Sequence, residues 1–221
     1  MCGRIDAHDP TGVNNLVRVL DVVIPKDRFP PRYNIAPSAT LATVCHKAGF
    51  DVADMHWGIV PHWAKPGQFE RPLINARAET IHEKPSFRKL IAHTRVIVPV
   101  NGFYEWRRAQ GKKATFYFHS IEHDALALAG VYQIDREGQM QCCLITTDAN
   151  DVMKPVHDRM PVLIPQQAMQ DWLCSEDIHV IDALMQPAAN DSITAVEVSS
   201  YVNNAHNEGV KCIEPISKRD V

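Results

Sequence analysis

The chain has 221 residues, 45% of them apolar, enough to bury one substantial core, and a single domain over residues 1–221 is expected. A net charge of −3 and a pI near 6.4 argue against a bulk polyanion binder. No apolar run approaches the ~18 residues of a membrane span, and the opening MCGRIDAHDP lacks the regions of a signal peptide, so a soluble cytoplasmic protein is predicted.

In chain order, Asp9-Pro10 precedes a helical pattern over 13–20, and Leu41 to Cys45 reads as a strand. A helix is predicted over 78–90, broken at Pro85, followed by a strand from Arg95 to Val100. The alternating Thr115-Phe116-Tyr117-Phe118 reads as a strand, as do 125–132 and 141–146. Turns are marked by Gln110-Gly111-Lys112 and Arg136-Glu137-Gly138. A helix over 148–153 and a strand over 161–164 follow. Next comes a helix over 166–174 behind Pro165, with a core-facing stripe of Met169, Trp172 and Leu173. A last strand covers 195–198. The pattern is α+β, mostly antiparallel, with peripheral helices.

Charge is uneven along this chain. Residues 84–113 hold eight basic residues against one acid, Glu105, so that window is +7 and the rest −10. Such asymmetry fits a phosphate-binding face or a solvated surface. The six cysteines are irregularly spaced in a long chain, which favours reduced thiols over a disulfide frame. No CxxC, HxxxH or HExxH spacing occurs, predicting neither metal nor cofactor.

The chemistry-bearing residues begin with Met1-Cys2-Gly3-Arg4. A small second residue permits loss of Met1, which leaves Cys2 as a 1,2-aminothiol whose amine (reference pKa ~8) and thiol (~8.5) can both attack a carbonyl. With an aldehyde the pair forms an imine and then a five-membered thiazolidine. An unperturbed thiol is only about 3% thiolate at neutral pH, so such chemistry needs a neighbouring base or a positive field.

Asn75 and Arg77 follow the apolar pair Leu73-Ile74, and in a strand they share one face; Asn75 also fits a turn. Glu105, between Tyr104 and Trp106, is either a desolvated general acid/base or a surface partner of Arg107 or Arg108. His157, beside Asp158 and ahead of Pro161, is a candidate proton shuttle. Trp57 reads as core, while Trp63 is the better candidate for stacking on an unpaired base.

Together the strings MCGR, YNIAP (33–37), WGIVPHW, INARAET, GFYEW (102–106), HDRMPV and VNNAHNEG (202–209) resemble the SOS response-associated peptidase (SRAP) family of abasic-site processing proteins, over nearly the whole chain. The resemblance implies a compact α+β domain with a curved, barrel-like antiparallel core. It implies that mature Cys2 links to the ring-opened aldehyde of an abasic site in single-stranded DNA as a thiazolidine. Asn75 would orient the amino terminus, Glu105 relay protons, and His157 help open the sugar or reverse the crosslink.

It further implies autoproteolysis, and lyase activity through an imine. Arg4, Asn34, Arg77 and Arg159 would lie on the DNA-facing side, with Trp63 against a base beside the lesion. Asn101 departs from the family's usual Asp, and the loop 65–71 is of a variable kind. A monomer, nucleoid-associated when bound to DNA, is expected.

Two alternatives stay open. An N-terminal-nucleophile amidohydrolase or glutamine amidotransferase also begins Met-Cys-Gly, but gives no role to Glu105 or HDRMP. A non-catalytic single-stranded DNA-binding module would use the basic window and leave Cys2 incidental.

Overall fold

The structure, a computed structural model, describes residues 2–27, 30–65, 71–109 and 112–216; the turn expected at Gln110-Gly111 lies outside them, as do the side chains of Arg108 and Lys112. The described strands are β1 (Ile5–Ala7), β2 (Arg32–Ile35), β3 (Thr40–His46), β4 (Phe50–Trp57), β5 (Asn75–Arg77) and β6 (Arg95–Val100). They continue as β7 (Gly102–Ala109), β8 (Lys112–Ser120), β9 (Leu126–Ile134), β10 (Met140–Asp148), β11 (Arg159–Pro161) and β12 (Ile193–Val198). The helices are α1 (Pro10–Val17), α2 (Arg88–His93), α3 (Met169–Cys174) and α4 (Ile178–Leu184).

One sheet has the order β12-β8-β7-β1-β2. The other runs β11-β10-β4-β3-β6-β9, and β9 pairs back onto β10, so five of its strands form a ring. The ring is closed by a short parallel seam, Gln141↔His56 and Cys142↔Trp57, and is not a true barrel. Its strands β6 and β9 are buried on both faces, which is why their sequences are continuous apolar runs rather than alternating ones. Only Asn101 separates β6 in the ring from β7 in the other sheet, and its side chain pins that crossing by accepting from Asp9 N at 2.9 Å and donating to Asp124 O at 2.7 Å.

The helices sit where local chemistry starts them. Asp9 caps α1 by accepting from the backbone N–H groups of Thr11 and Gly12, with Pro10 in the first turn. The Met169, Trp172 and Leu173 stripe is buried, and the Trp172 indole N–H donates to Val96 O at 3.0 Å. The buried Arg95 fastens two helix ends, donating to Ile91 and Ala92 carbonyls at the end of α2 and to Trp172 and Ser175 carbonyls at the end of α3.

Three sequence expectations change. The helix over 78–90 becomes a 3-10 turn at Ala78–Thr80, further turns around Pro85, and α2 alone. The helix over 148–153 is absent: Asp148 ends β10, and the Asn150 side chain accepts from Met153 N at 3.0 Å, capturing a donor locally in a turn. The strand at 161–164 shifts to β11, with Leu163 left in an isolated bridge to Leu128.

Candidate functional site

Cys2 precedes β1 and is fully buried. Beyond Ile5 the β1–β7 ladder carries on as Tyr104 N donates to Arg4 O at 3.0 Å, which draws the start of the chain alongside the strand that bears Glu105. From the ring side, the Asn75 amide donates to Cys2 O at 2.8 Å, so residue 2 is clasped where the two sheets meet. Asn75 lies in β5, not in a turn, with Arg77 exposed two residues on. Asn75 Oδ1 is buried with no hydrogen-bond partner among the described residues, a vacant acceptor on the amide that holds Cys2.

Burial pushes the Cys2 thiol far up from its ordinary value, and the Glu105 carboxylate adds to this, while the Arg4 backbone N–H works the other way. Glu105 is only 3% exposed, on β7 opposite Phe116, and so is not a surface group. The carboxylate and thiol therefore share one water-poor site.

His157 stands in the turn before β11. Its Nδ1 is 2.9 Å from both the Arg159 backbone N–H and Asp158 Oδ1. These contacts demand opposite proton states: an acceptor Nδ1 puts the neutral ring's proton on Nε2, whereas an imidazolium turns Nδ1–H toward Asp158. Arg159, two residues on from His157, forms a two-pronged pair with Glu79, at 2.6 and 2.9 Å, just past the end of β5, the strand that carries Asn75.

The residues expected to face DNA separate. Arg77 and Trp63 are exposed, Trp63 by 50%, whereas Trp57 is buried. Arg4 is half-buried, donating from Nη1 to Asn34 Oδ1 at 2.6 Å and Val202 O at 2.9 Å, with its guanidinium 5.8 Å from the Trp106 ring. Asn34 is fully buried and offers no surface to DNA; it donates instead to the carbonyls of Val202, Asn204 and Asn207, holding the 202–207 segment against β2. Arg159 has its four Nη hydrogens taken by Glu79, Asp148 and Thr146 O, and its Nε is buried with no hydrogen-bond partner among the described residues, so a phosphate contact through the Nη groups requires one of these acceptors to let go.

Sequence reasoning missed Glu79 and Asn203, although both lie inside quoted motifs. Asn203 Oδ1 accepts from the Trp106 indole N–H at 2.5 Å and from Thr115 Oγ1 at 3.2 Å. It also missed Asp6, a fully buried carboxylate that accepts from Tyr117 OH at 2.6 Å and lies 2.8 Å from His8 Nδ1. Burial pushes Asp6 up against the opposing effect of those partners, and Asp6 in turn raises His8. Among the described residues no group of three or more His, Cys, Asp or Glu side chains is arranged to hold a metal ion, and no helix is long and apolar enough to cross a membrane.

The family model for SOS response associated peptidase (SRAP) matches residues 1–205. The chain is 36% identical over 203 residues to the abasic site processing protein YoqW of Bacillus subtilis (strain 168), covering 88% of this chain and 91% of the relative. Against the abasic site processing protein YedK of Escherichia coli (strain K12) it is 30% identical over 230 residues, covering 98% of this chain and 100% of the relative. A crystal structure of a Bacteroides thetaiotaomicron protein shares the fold, with a TM-score of 0.80 at 24% identity over 97% of this chain and 99% of that one.

Proposed function

Because the chain belongs to the SOS response associated peptidase (SRAP) family, we propose that it processes abasic sites in single-stranded DNA by capturing the sugar aldehyde on Cys2 after Met1 is removed. The observation that carries this reading is the clasp on residue 2: Asn75 holds the Cys2 carbonyl and keeps a buried acceptor vacant, suited to an amine that appears once Met1 is gone. A cysteine of incidental role needs no such fixture.

The chemistry of an amine and a thiol on adjacent carbons orders the steps. The amine attacks first; its nitrogen adds to the aldehyde carbon, and uptake of one proton with loss of one water leaves an iminium. That positive charge, two carbons from the sulfur, favours the thiolate at the moment it is required. The sulfur then adds to the iminium carbon, its proton passes to Glu105, and the thiazolidine closes with one water lost overall. His157, carrying its proton on Nε2 when neutral, serves as the acid that opens the sugar ring and as a shuttle in reversal. Strand cleavage would proceed from the same iminium, and autoproteolysis would expose the same amine.

For the DNA, Arg77 supplies a phosphate contact and Trp63 a stacking surface. Arg4, oriented by Asn34, adds positive charge, and Arg159 contributes where phosphate displaces a carboxylate.

The test mixes protein with single-stranded DNA bearing one abasic site, followed by a denaturing gel and intact mass measurement. The expected product has the mass of the chain without Met1 plus the DNA less one water, and Cys2→Ala abolishes it while retaining salt-sensitive noncovalent binding. An adduct undiminished in Cys2→Ala refutes the assignment. No adduct despite a free Cys2 amine turns the reading to an amidohydrolase, checked by glutamine hydrolysis, or to a binding module.

A further inference from the structure

The two halves of the site reach it on different strands. Asn75 comes on β5 and His157 comes just ahead of β11, and β10 runs between them: Thr146 is paired with Arg77 on one edge and with Pro161 on the other. Two strand spacings, roughly 10 Å, separate β5 from β11. The Arg159–Glu79 side-chain pair spans that gap. Arg159, the first residue of β11, reaches across β10 and presents both Nη groups to the two oxygens of Glu79, which follows β5 in the 3-10 turn Ala78–Thr80. The Arg159 side chain is 12% exposed and that of Glu79 45%, so the pair is partly screened from water. Arg159 is held further by Asp148 Oδ1 at 2.8 Å and Thr146 O at 2.7 Å.

We propose that Glu79 is a positioning residue of the Cys2 site, which through its fork with Arg159 fixes His157 relative to the Asn75–Cys2 clasp. The inference rests on the proposed function, in that His157 and Asn75 serve one reaction. A two-pronged carboxylate–guanidinium pair fixes direction and distance together, as a single hydrogen bond does not. Arg159 passes that constraint to the catalytic ring through its backbone, because its N–H donates to His157 Nδ1. At the other end only Ala76, Arg77 and Ala78 separate Asn75 from Glu79, and strand and 3-10 geometry leave them little freedom. The arginine also keeps Glu79 ionised: its hydrogen bonds hold the Glu79 carboxyl below the usual range.

Asp148 separates this role from plain charge. It neutralises the same guanidinium, yet it lies on β10 and bridges nothing to β5. Glu79→Gln removes one carboxylate and one prong of the fork, while Asp148→Asn removes one carboxylate and leaves both prongs in place.

The experiment follows single-turnover adduct formation at saturating abasic single-stranded DNA, with binding of undamaged DNA measured in parallel. In DNA-free protein, the ¹⁵N shifts of His157 report its tautomer. Misplacing a reacting group by about 1 Å costs up to roughly 100-fold in rate, and a half-retained fork should cost about 10-fold. Glu79→Gln is therefore expected to form adduct about 10-fold more slowly, bind undamaged DNA no more weakly, and move His157 from a single Nε2–H tautomer toward the mixture seen in water. Glu79→Asp, which restores the charge, should recover part of the rate, and Asp148→Asn should match the parent in rate and tautomer.

Glu79→Gln within twofold of the parent and with the same tautomer overturns the inference, as does equal slowing in Asp148→Asn. If the parent itself forms no adduct, the proposed function has failed separately. The His157 tautomer in DNA-free protein then decides for or against Glu79.

Discussion

Replacing Asn34 by alanine tests how the 202–207 segment is attached. The Asn34 side chain accepts a charge-assisted hydrogen bond from Arg4 and donates to Asn204 O at 2.9 Å and Asn207 O at 2.8 Å, with a longer contact to Val202 O. Some of those groups keep another partner: Val202 O retains Arg4, and Asn204 O retains the Asn207 backbone N–H. The charge-assisted bond is worth about 1.5–2 kcal/mol and the two good amide bonds about 1 kcal/mol each, so Asn34→Ala should cost roughly 3–4 kcal/mol. For a domain of this size that lowers Tm by about 10 °C. Urea unfolding measures the loss, and hydrogen exchange locates it, with amides of 202–209 losing protection before those of the ring. A loss below about 1 kcal/mol with protection unchanged would show that the segment is held by its apolar contacts and that the amide is dispensable.

Two other perturbations have signs set by the structure. A Cβ at Gly102 would stand 2.5 Å from Phe118 O and from atoms of the Tyr117 ring, so Gly102→Ala must displace β7 or β8. It should destabilise by about 1–3 kcal/mol and slow adduct formation by shifting Glu105; a melting temperature within 1 °C of the parent rules this out. His8 gains Asp6 as a partner on folding, which raises its folded pKa above the unfolded value near 6.5. The stability from that pair is complete below about pH 6.5 and is lost as pH rises through the folded value. Urea midpoints of the parent should therefore fall more between about pH 6.5 and 8 than those of His8→Gln, and parallel curves would exclude the pair as the source.

What the sequence made legible was mostly local. The apolar run Arg95 to Val100 is β6 to the residue, and the spacing of Met169, Trp172 and Leu173 gave the buried side of α3 because packing of that kind leaves a period in the chain. Cys2, Asn75 and Glu105 stood out as polar groups in unusual settings, and the fold brings the three to one place.

What escaped depends on partners far away in sequence. Glu79 and Arg159 are 80 residues apart, and Asn34 and Asn204 are 170 apart; neither pairing has a periodic signature. Asn34 was expected to face DNA only through the family resemblance, whereas its hydrogen bonds are internal. The helix misread at 148–153 has a smaller cause, one asparagine side chain competing for a backbone donor.

The complete burial of Cys2 bears on what the protein leaves alone. Cells contain free aldehydes, dicarbonyls and peroxides, all of which react readily with an open aminothiol, and an exposed one would be consumed before meeting a lesion. With Met1 still attached, the Cys2 sulfur is shut away from water, and a thiol so buried is a poor target for small diffusing electrophiles. Under the proposed function its reactivity would be reserved for an aldehyde that arrives tethered to a docked strand, so selectivity would rest on admission to the site rather than on the intrinsic appetite of the nucleophile.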